Sequence, residues 1–158
     1  MKIAMGADHG GFALKEILKE FLEKQGHEII DVGAHQLEPG DDYPEYSALV
    51  AEQIMDKKAE RGILVCGSGV GASVAANKFP GVRAALCHDI FSAHQGVEDD
   101  NINVLCLGQR VVGEELAKEL VARFVGARFS EEERHKRRLG EVGEIEARFM
   151  KTEGAGKK

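Results

Sequence analysis

Cys66 closes the short apolar run Ile63-Leu64-Val65 and opens a loop with glycine at every second position, Gly67-Ser68-Gly69-Val70-Gly71. Small residues follow from Ala72 toward Lys78. The order reads as strand, anion-cradling loop, helix. Glycines allow several backbone N–H groups to converge on one point, and a helix start adds positive potential there. A thiol at the edge of such a nest is biased toward thiolate. The expected chemistry is therefore stabilisation of developing negative charge beside a nucleophile or base.

Other reactive types fall at comparable places. Asp8 and His9 follow the apolar start of the chain, Asp42 and Tyr43 follow a second apolar run, His88 and Asp89 a fourth, and Arg110 a fifth. Strands are expected over 2–6, 27–32, 61–65, 82–86 and 104–107. Helices are expected from Gly11 to Gly26 (Leu14, Ile17, Leu18 and Phe21 at helical spacing), from Pro44 to about Lys58, and over 72–78, 90–98, 113–125 and 130–150. Strands and helices alternating at this spacing predict an α/β fold with a five-stranded, mostly parallel sheet covered on both faces. Ligands in such sheets sit at the carboxyl ends of strands, where the reactive residues cluster.

The 158 residues predict one domain over 1–150 and a charged, glycine-rich, flexible tail over 151–158. A net charge of −6 makes nucleic acid or an anionic membrane a poor partner. No apolar run reaches the roughly 18–20 residues of a membrane helix, and the N-terminal residues move directly into strand-like sequence with no signal peptide. Cys66, Cys87 and Cys106 are odd in number and lack metal-type spacing, so reduced thiols in the cytoplasm are expected. Cys87 and Cys106 are assigned to the core. No His/Asp/Glu spacing makes a metal site.

The glycine loop and the basic run each admit competing readings. Gly67-x-Gly69-x-x-Ala72 resembles a dinucleotide fingerprint, with Asp89 20 residues after Gly69, but it follows the third strand instead of the first. A Walker loop is excluded, because no Gly-Lys-Ser/Thr closes the run. Arg134-His135-Lys136-Arg137-Arg138 is the one concentrated basic stretch. As a solvated face it does nothing, but Arg134 and Arg138 share a helix face and, with Arg110, suit a phosphate dianion. Among the histidines, His9 is the best candidate, His27 and His35 read as surface residues, and His88 and His94 lie in or near the site.

Taken together, the motifs Gly6-Ala7-Asp8-His9-Gly10-Gly11, Asp42-Tyr43-Pro44, Cys66-Gly67-Ser68-Gly69-Val70-Gly71, Ala75-Ala76-Asn77-Lys78, Gly81-Val82-Arg83-Ala84 and Arg134-His135 resemble the ribose-5-phosphate isomerase type B family. That family also holds galactose-6-phosphate isomerase subunits and tetrose-phosphate isomerases. The resemblance spans the chain to about Phe149. It implies a three-layer α/β/α Rossmann-like sandwich, a homodimer or tetramer with active sites shared between subunits, and a small sugar-phosphate substrate. It implies no metal or organic cofactor. The implied reaction is aldose–ketose isomerisation through an enediolate, with ribose 5-phosphate as leading substrate. Cys66 would be the base; members without this cysteine use a glutamate at the position of Ala72. The loop amides of Gly67, Gly69, Val70 and Gly71 would hold the enediolate oxygen, and Ser68 would relay a proton. Asp8 and Tyr43 match sugar contacts. His9, Arg110, Arg134 and Arg138 match phosphate contacts, the last two reaching in from a partner subunit.

The resemblance breaks at one place. Many members carry His-Asn before the fifth strand, the histidine opening the furanose ring. Here Asp99 and Asp100 occupy those positions, so Asp99 is the candidate acid/base and Asp100 a candidate substrate contact. A carboxylic acid with a pKa near 4 is a poor general acid at pH 7 unless its surroundings raise it. A tetrose 4-phosphate has no ring to open, which keeps an open-chain tetrose phosphate as the alternative substrate. A sugar-phosphate-binding module without catalysis is the alternative from another class.

Overall fold

The computed structural model of the protein describes residues 1–150; the expected tail over 151–158 lies outside the described residues. Five strands form one sheet: β1 (Lys2–Ala7), β2 (Glu28–Asp31), β3 (Arg61–Cys66), β4 (Ala84–Leu86) and β5 (Val104–Gly108). Their order is β2-β1-β3-β5-β4, and every pair is parallel, where the sequence predicted a mostly parallel sheet. Among the described residues, six helices connect or follow the strands: α1 (Phe12–Lys24), α2 (Tyr43–Met55), α3 (Val70–Ala76), α4 (Ile90–Asp100), α5 (Glu114–Gly126) and α6 (Glu133–Phe149).

The period-2 alternation of strand side chains divides the interior into two cores. Ile3, Met5, Ala7, Ile63, Val65, Leu105 and Leu107 face α1, α4 and α5. Ala4, Leu64, Cys66, Val104 and Cys106 face α2 and α3. The result is the three-layer α/β/α Rossmann-like sandwich expected from the resemblance. Cys66 follows Leu64 on its strand face, which turns its sulfur toward α3.

Several element ends differ from expectation. Helix α3 starts at Val70 instead of Ala72, because Gly69 adopts a left-handed φ of 80° and serves as its N-cap. Helix α2 stops at Met55, short of Lys58, where Lys57 turns to φ 56°. Strand β4 is limited to Ala84–Leu86; the Asn77 amide spans its first residue, accepting from Ala84 N–H at 2.9 Å and donating to Ala84 C=O at 2.8 Å. Helix α6 begins at Glu133, three residues later than expected.

Helix α1 buries Leu14, Leu18 and Leu22, with Phe21 only partly covered, and it turns Lys15 fully inward. The Lys15 ammonium donates to Asp31 Oδ1 at 2.8 Å and to Ala34 C=O at 2.7 Å, and lies 2.9 Å from Glu16 Oε1. A buried ammonium is tolerated only with such partners. This ties α1 to the end of β2 and to the loop beyond it.

Candidate active site

The register sets where the reactive residues meet. Ala7 lies beside Val65, and Cys66 beside Gly108. The segments that follow β1, β3 and β5 therefore leave the sheet along one edge. The chain passes from β1 to β2 on one side and later to β3 on the other, so this edge includes the topological switch point between β1 and β3. There an open pocket of about 330 Å³ is lined by Asp8, His9, Gly10, Tyr43, Cys66, Gly67, Ser68, Gly71, Arg110 and Val111.

Glycine makes the convergence possible. A Cβ at Gly69 would stand 2.5 Å from the Leu86 side chain and 2.9 Å from the Leu107 carbonyl carbon, besides the strain of its positive φ. A Cβ at Gly71 would stand 2.7 Å from the Tyr43 ring, so the ring packs flush on the loop. Loop and strand ends approach as backbone on backbone.

Cys66 is buried yet lines the pocket. The Gly69 N–H donates to its Sγ at 3.0 Å, and the Val70 N–H to Ser68 Oγ at 3.3 Å. Two amides of the expected cradle are thus committed within the loop. The further amides at the head of α3 have no acceptor inside the helix. The other two thiols are ordinary core residues: burial pushes Cys87 up to about 11 and raises the Cys106 thiol as well.

Asp8 is nearly buried, and its Oδ1 has no hydrogen-bond partner among the described residues. Burial raises its pKa, partly offset by the neighbouring His9. His9 is anchored by Asp41: Oδ1 accepts from the His9 backbone N–H at 2.8 Å and lies 2.8 Å from Nδ1. The hydrogen bond to Asp41 raises the His9 pKa against a smaller desolvation effect. Burial alone would raise Asp41, but the bonds from His9 outweigh it and hold the carboxyl below its usual range. Beside it, burial and the Asp41 carboxylate push Tyr46 up to about 12. Gly10, Val111, Asp41 and Tyr46 were not singled out from sequence as site residues. Gly10 lies in the run Gly6-Ala7-Asp8-His9-Gly10-Gly11, and the one local signal for Asp41 is its place in the acidic pair Asp41-Asp42 before Tyr43.

Of the predicted site residues, the structure brings together Asp8, His9, Tyr43, Cys66, Gly67, Ser68, Gly71 and Arg110. Gly69 and Val70 stand behind them in the loop. Asp99, Asp100, Arg134 and Arg138 lie elsewhere on the same chain. Asp99 accepts from the Gln95 amide and lies 3.6 Å from Nε2 of the buried His135. His135 Nδ1 is in turn 2.6 Å from Ser130 Oγ. Arg134 donates to Glu132 at 2.8 Å on an exposed surface. Asp100 and Arg138 border a groove beneath α6 with Val82, Ile102 and Val142. His88 accepts from Gly108 N–H at 3.0 Å beneath the loop, and His94 is exposed. His27 is half-buried instead of a free surface residue. Among the described residues, no group of three or more His, Cys, Asp or Glu could hold a metal, and no helix is long and apolar enough to cross a membrane.

Comparison with known proteins agrees with this architecture. The family profile for Ribose/Galactose Isomerase matches residues 3–142. Ribose-5-phosphate isomerase B of Escherichia coli is 44% identical over 147 residues, covering 93% of this chain and 97% of the relative. D-erythrulose-4-phosphate isomerase 2 of Mycolicibacterium smegmatis is 40% identical over 131 residues, covering 82% and 86%. The solved structure of Clostridium thermocellum ribose-5-phosphate isomerase B superimposes with a TM-score of 0.91 at 44% identity, covering 94% of this chain and 99% of the other. The chain belongs to the ribose/galactose isomerase family and is an aldose–ketose isomerase.

Proposed function

We propose that the pocket interconverts ribose 5-phosphate and ribulose 5-phosphate through an enediolate, with Cys66 as the base. The observation that carries this reading is Cys66 on the pocket wall with Ser68, its Sγ receiving the Gly69 N–H at 3.0 Å. The thiolate takes the proton from C2 of the open-chain aldose, and the electron pair moves onto the C1 carbonyl oxygen. The amides at the head of α3 hold the enediolate oxygen. Such preorganised donors are typically worth about 3–4 kcal/mol each where measured in acyl transfer. Ser68 carries hydrogen between the two oxygens, and the thiol returns its proton to C1, giving the ketose. Asp8, on the pocket wall beside His9, takes a sugar hydroxyl. His9 and Arg110 take the phosphate. The E. coli relative bears the name of this activity.

Arg134 and Arg138 complete the phosphate grip from a second copy in this reading. What supports it is that Arg110 is the only arginine on the pocket among the described residues. Large apolar side chains also stand exposed on α3, α4 and α6, including Val74, Phe91, Ile145 and Phe149. Three free thiols fit a reducing, cytoplasmic setting.

A second reading, an open-chain tetrose phosphate, draws support from Asp99. Its carboxylate is engaged by Gln95 and faces His135, which leaves it poorly placed as a ring-opening acid within one chain. The Mycolicibacterium relative is named for such a substrate. The deciding experiment measures kcat/KM for ribose 5-phosphate, erythrose 4-phosphate and erythrulose 4-phosphate. Ribose 5-phosphate is expected to lead. A tenfold or greater preference for the tetroses replaces the first reading with the second, and no turnover on any sugar phosphate leaves only a binding module.

A further inference from the structure

His9 and Asp41 are 32 positions apart, on the loop after β1 and the loop before α2, and they meet at two points. One carboxylate oxygen, Oδ1, receives the His9 backbone N–H and faces the Nδ1 edge of the ring, both at 2.8 Å. A carboxylate can only accept, so Nδ1 carries the hydrogen of that bond. Nε2 is then the ring nitrogen that Asp41 leaves unengaged, on a residue that lines the pocket beside Arg110. The two side chains differ in exposure: Asp41 is 8% exposed and the His9 ring 38%. A buried carboxylate thus holds an imidazole that reaches solvent and ligand, an arrangement that fixes both ring orientation and charge.

We propose that Asp41 is a positioning residue for substrate phosphate: it keeps His9 in the Nδ1–H orientation as an imidazolium, and so sets the pH above which affinity for the phosphate ester falls. This rests on the reading of His9 and Arg110 as the phosphate grip. The groups facing His9 are Asp8 at the end of β1, Asp41 with Tyr46 behind it, Tyr43 at the head of α2, Cys66 at the end of β3, and Arg110 beyond β5. Asp8 is the one other carboxylate among them, and its attraction adds to that of Asp41. The sign is fixed by the raised His9 pKa. The cation is present at low pH and is lost as pH rises through the raised value, so KM climbs on the alkaline side. A phosphate monoester loses its second proton near pH 6, so KM also climbs on the acid side.

The test uses Asp41→Asn, Asp41→Glu and His9→Asn in the full chain. It reads the His9 imidazole titration by NMR, KM and kcat for the sugar phosphate from pH 5.5 to 9, and inhibition by inorganic phosphate. Asp41→Asn is expected to lower the His9 midpoint by about one unit and to raise KM and the phosphate inhibition constant about tenfold near pH 8, with kcat within threefold. Asp41→Glu is expected to recover most of the loss. In the His9→Asn background, Asp41→Asn is expected to add less than twofold. An unmoved His9 midpoint overturns the proposal, as does a kcat loss with KM unchanged. A lowered midpoint with unchanged KM and phosphate inhibition overturns the phosphate role of His9 and this proposal with it. Failure of the function itself shows earlier, as wild-type protein without turnover.

Discussion

Around Cys66 the loops are tied by main-chain contacts, Gln109 N–H to Cys66 C=O and Arg110 N–H to Gly67 C=O among them, whereas Arg134 and Arg138 ride on a helix whose one buried residue is His135. At the sheet edge, glycines bring the loops after β1, β3 and β5 within backbone distance. Position there is a property of the strands, and strands in a parallel sheet do not shift singly. On α6 the arginines are exposed, and one is spent on the nearby Glu132. Long flexible side chains on an exposed surface lose entropy when fixed and gain little from a lone ion pair. The difference teaches what a single chain holds in place by itself: Cys66 and the loop amides beside it are preorganised, while the α6 arginines are not.

The sharpest way to break this comparison is to remove the sulfur. Cys66→Ala is expected to lower kcat by about a thousandfold, the range of a lost general base, with KM changed less than threefold. Cys106→Ala, two strand positions from the pocket edge, is expected to leave kcat within twofold, because that thiol is sealed in the core. Steady-state kinetics on both variants decides it; equal losses erase the distinction between the two cysteines.

The α6 side is sharpened by Arg134→Ala and Arg138→Ala. Each is expected to raise KM by about 10–100-fold through loss of a charge-assisted contact to phosphate, with a smaller change in kcat. Mixing Cys66→Ala protein with Arg138→Ala protein, unfolding and refolding together, is expected to restore activity if a site is shared between copies. Unchanged KM in both arginine variants assigns α6 no part in the site.

The smallest effect on activity is expected from Asp31→Asn, which removes one of the two carboxylates on Lys15, a residue that does not line the pocket. Removing one partner of a buried ion pair typically costs about 3 kcal/mol, measured here by urea denaturation. Burial would raise the Asp31 pKa, but the Lys15 and Lys19 ammoniums hold it below the ordinary value. Its contribution is therefore complete above pH 4 and is lost as pH falls through the lowered folded value. The variant is expected to lose less stability on acidification than wild type, with turnover per folded molecule within twofold.

Much of the pocket was legible because its signals are local in sequence. The strand–glycine–helix run from Ile63 to Ala76 names its own geometry, and alternation placed the reactive loops on one edge. What stayed hidden depends on distance along the chain. Asp41 pairs with a residue 32 positions earlier, and no periodicity marks it. Lys15 sits beside Leu14 on a helix face expected to be apolar, and only Asp31 at the end of β2 makes its burial sensible. His135 lies inside a basic run for which the sequence offers a solvated face or a phosphate grip, neither of which marks it as buried, but Ser130 and Asp99 draw it inward. Asp99 was read by its place before β5, and its actual neighbours come from α4 and α6.

The side-chain amide of Asn77 guards one edge of the sheet. By occupying both backbone groups of Ala84, it acts as one rung of a missing sixth strand and closes the start of the outer margin. A second molecule finds no invitation there to prolong the ladder, and an open margin is where unwanted stacking into fibres begins. The sheet is thereby guarded at that point by one side chain of its own molecule.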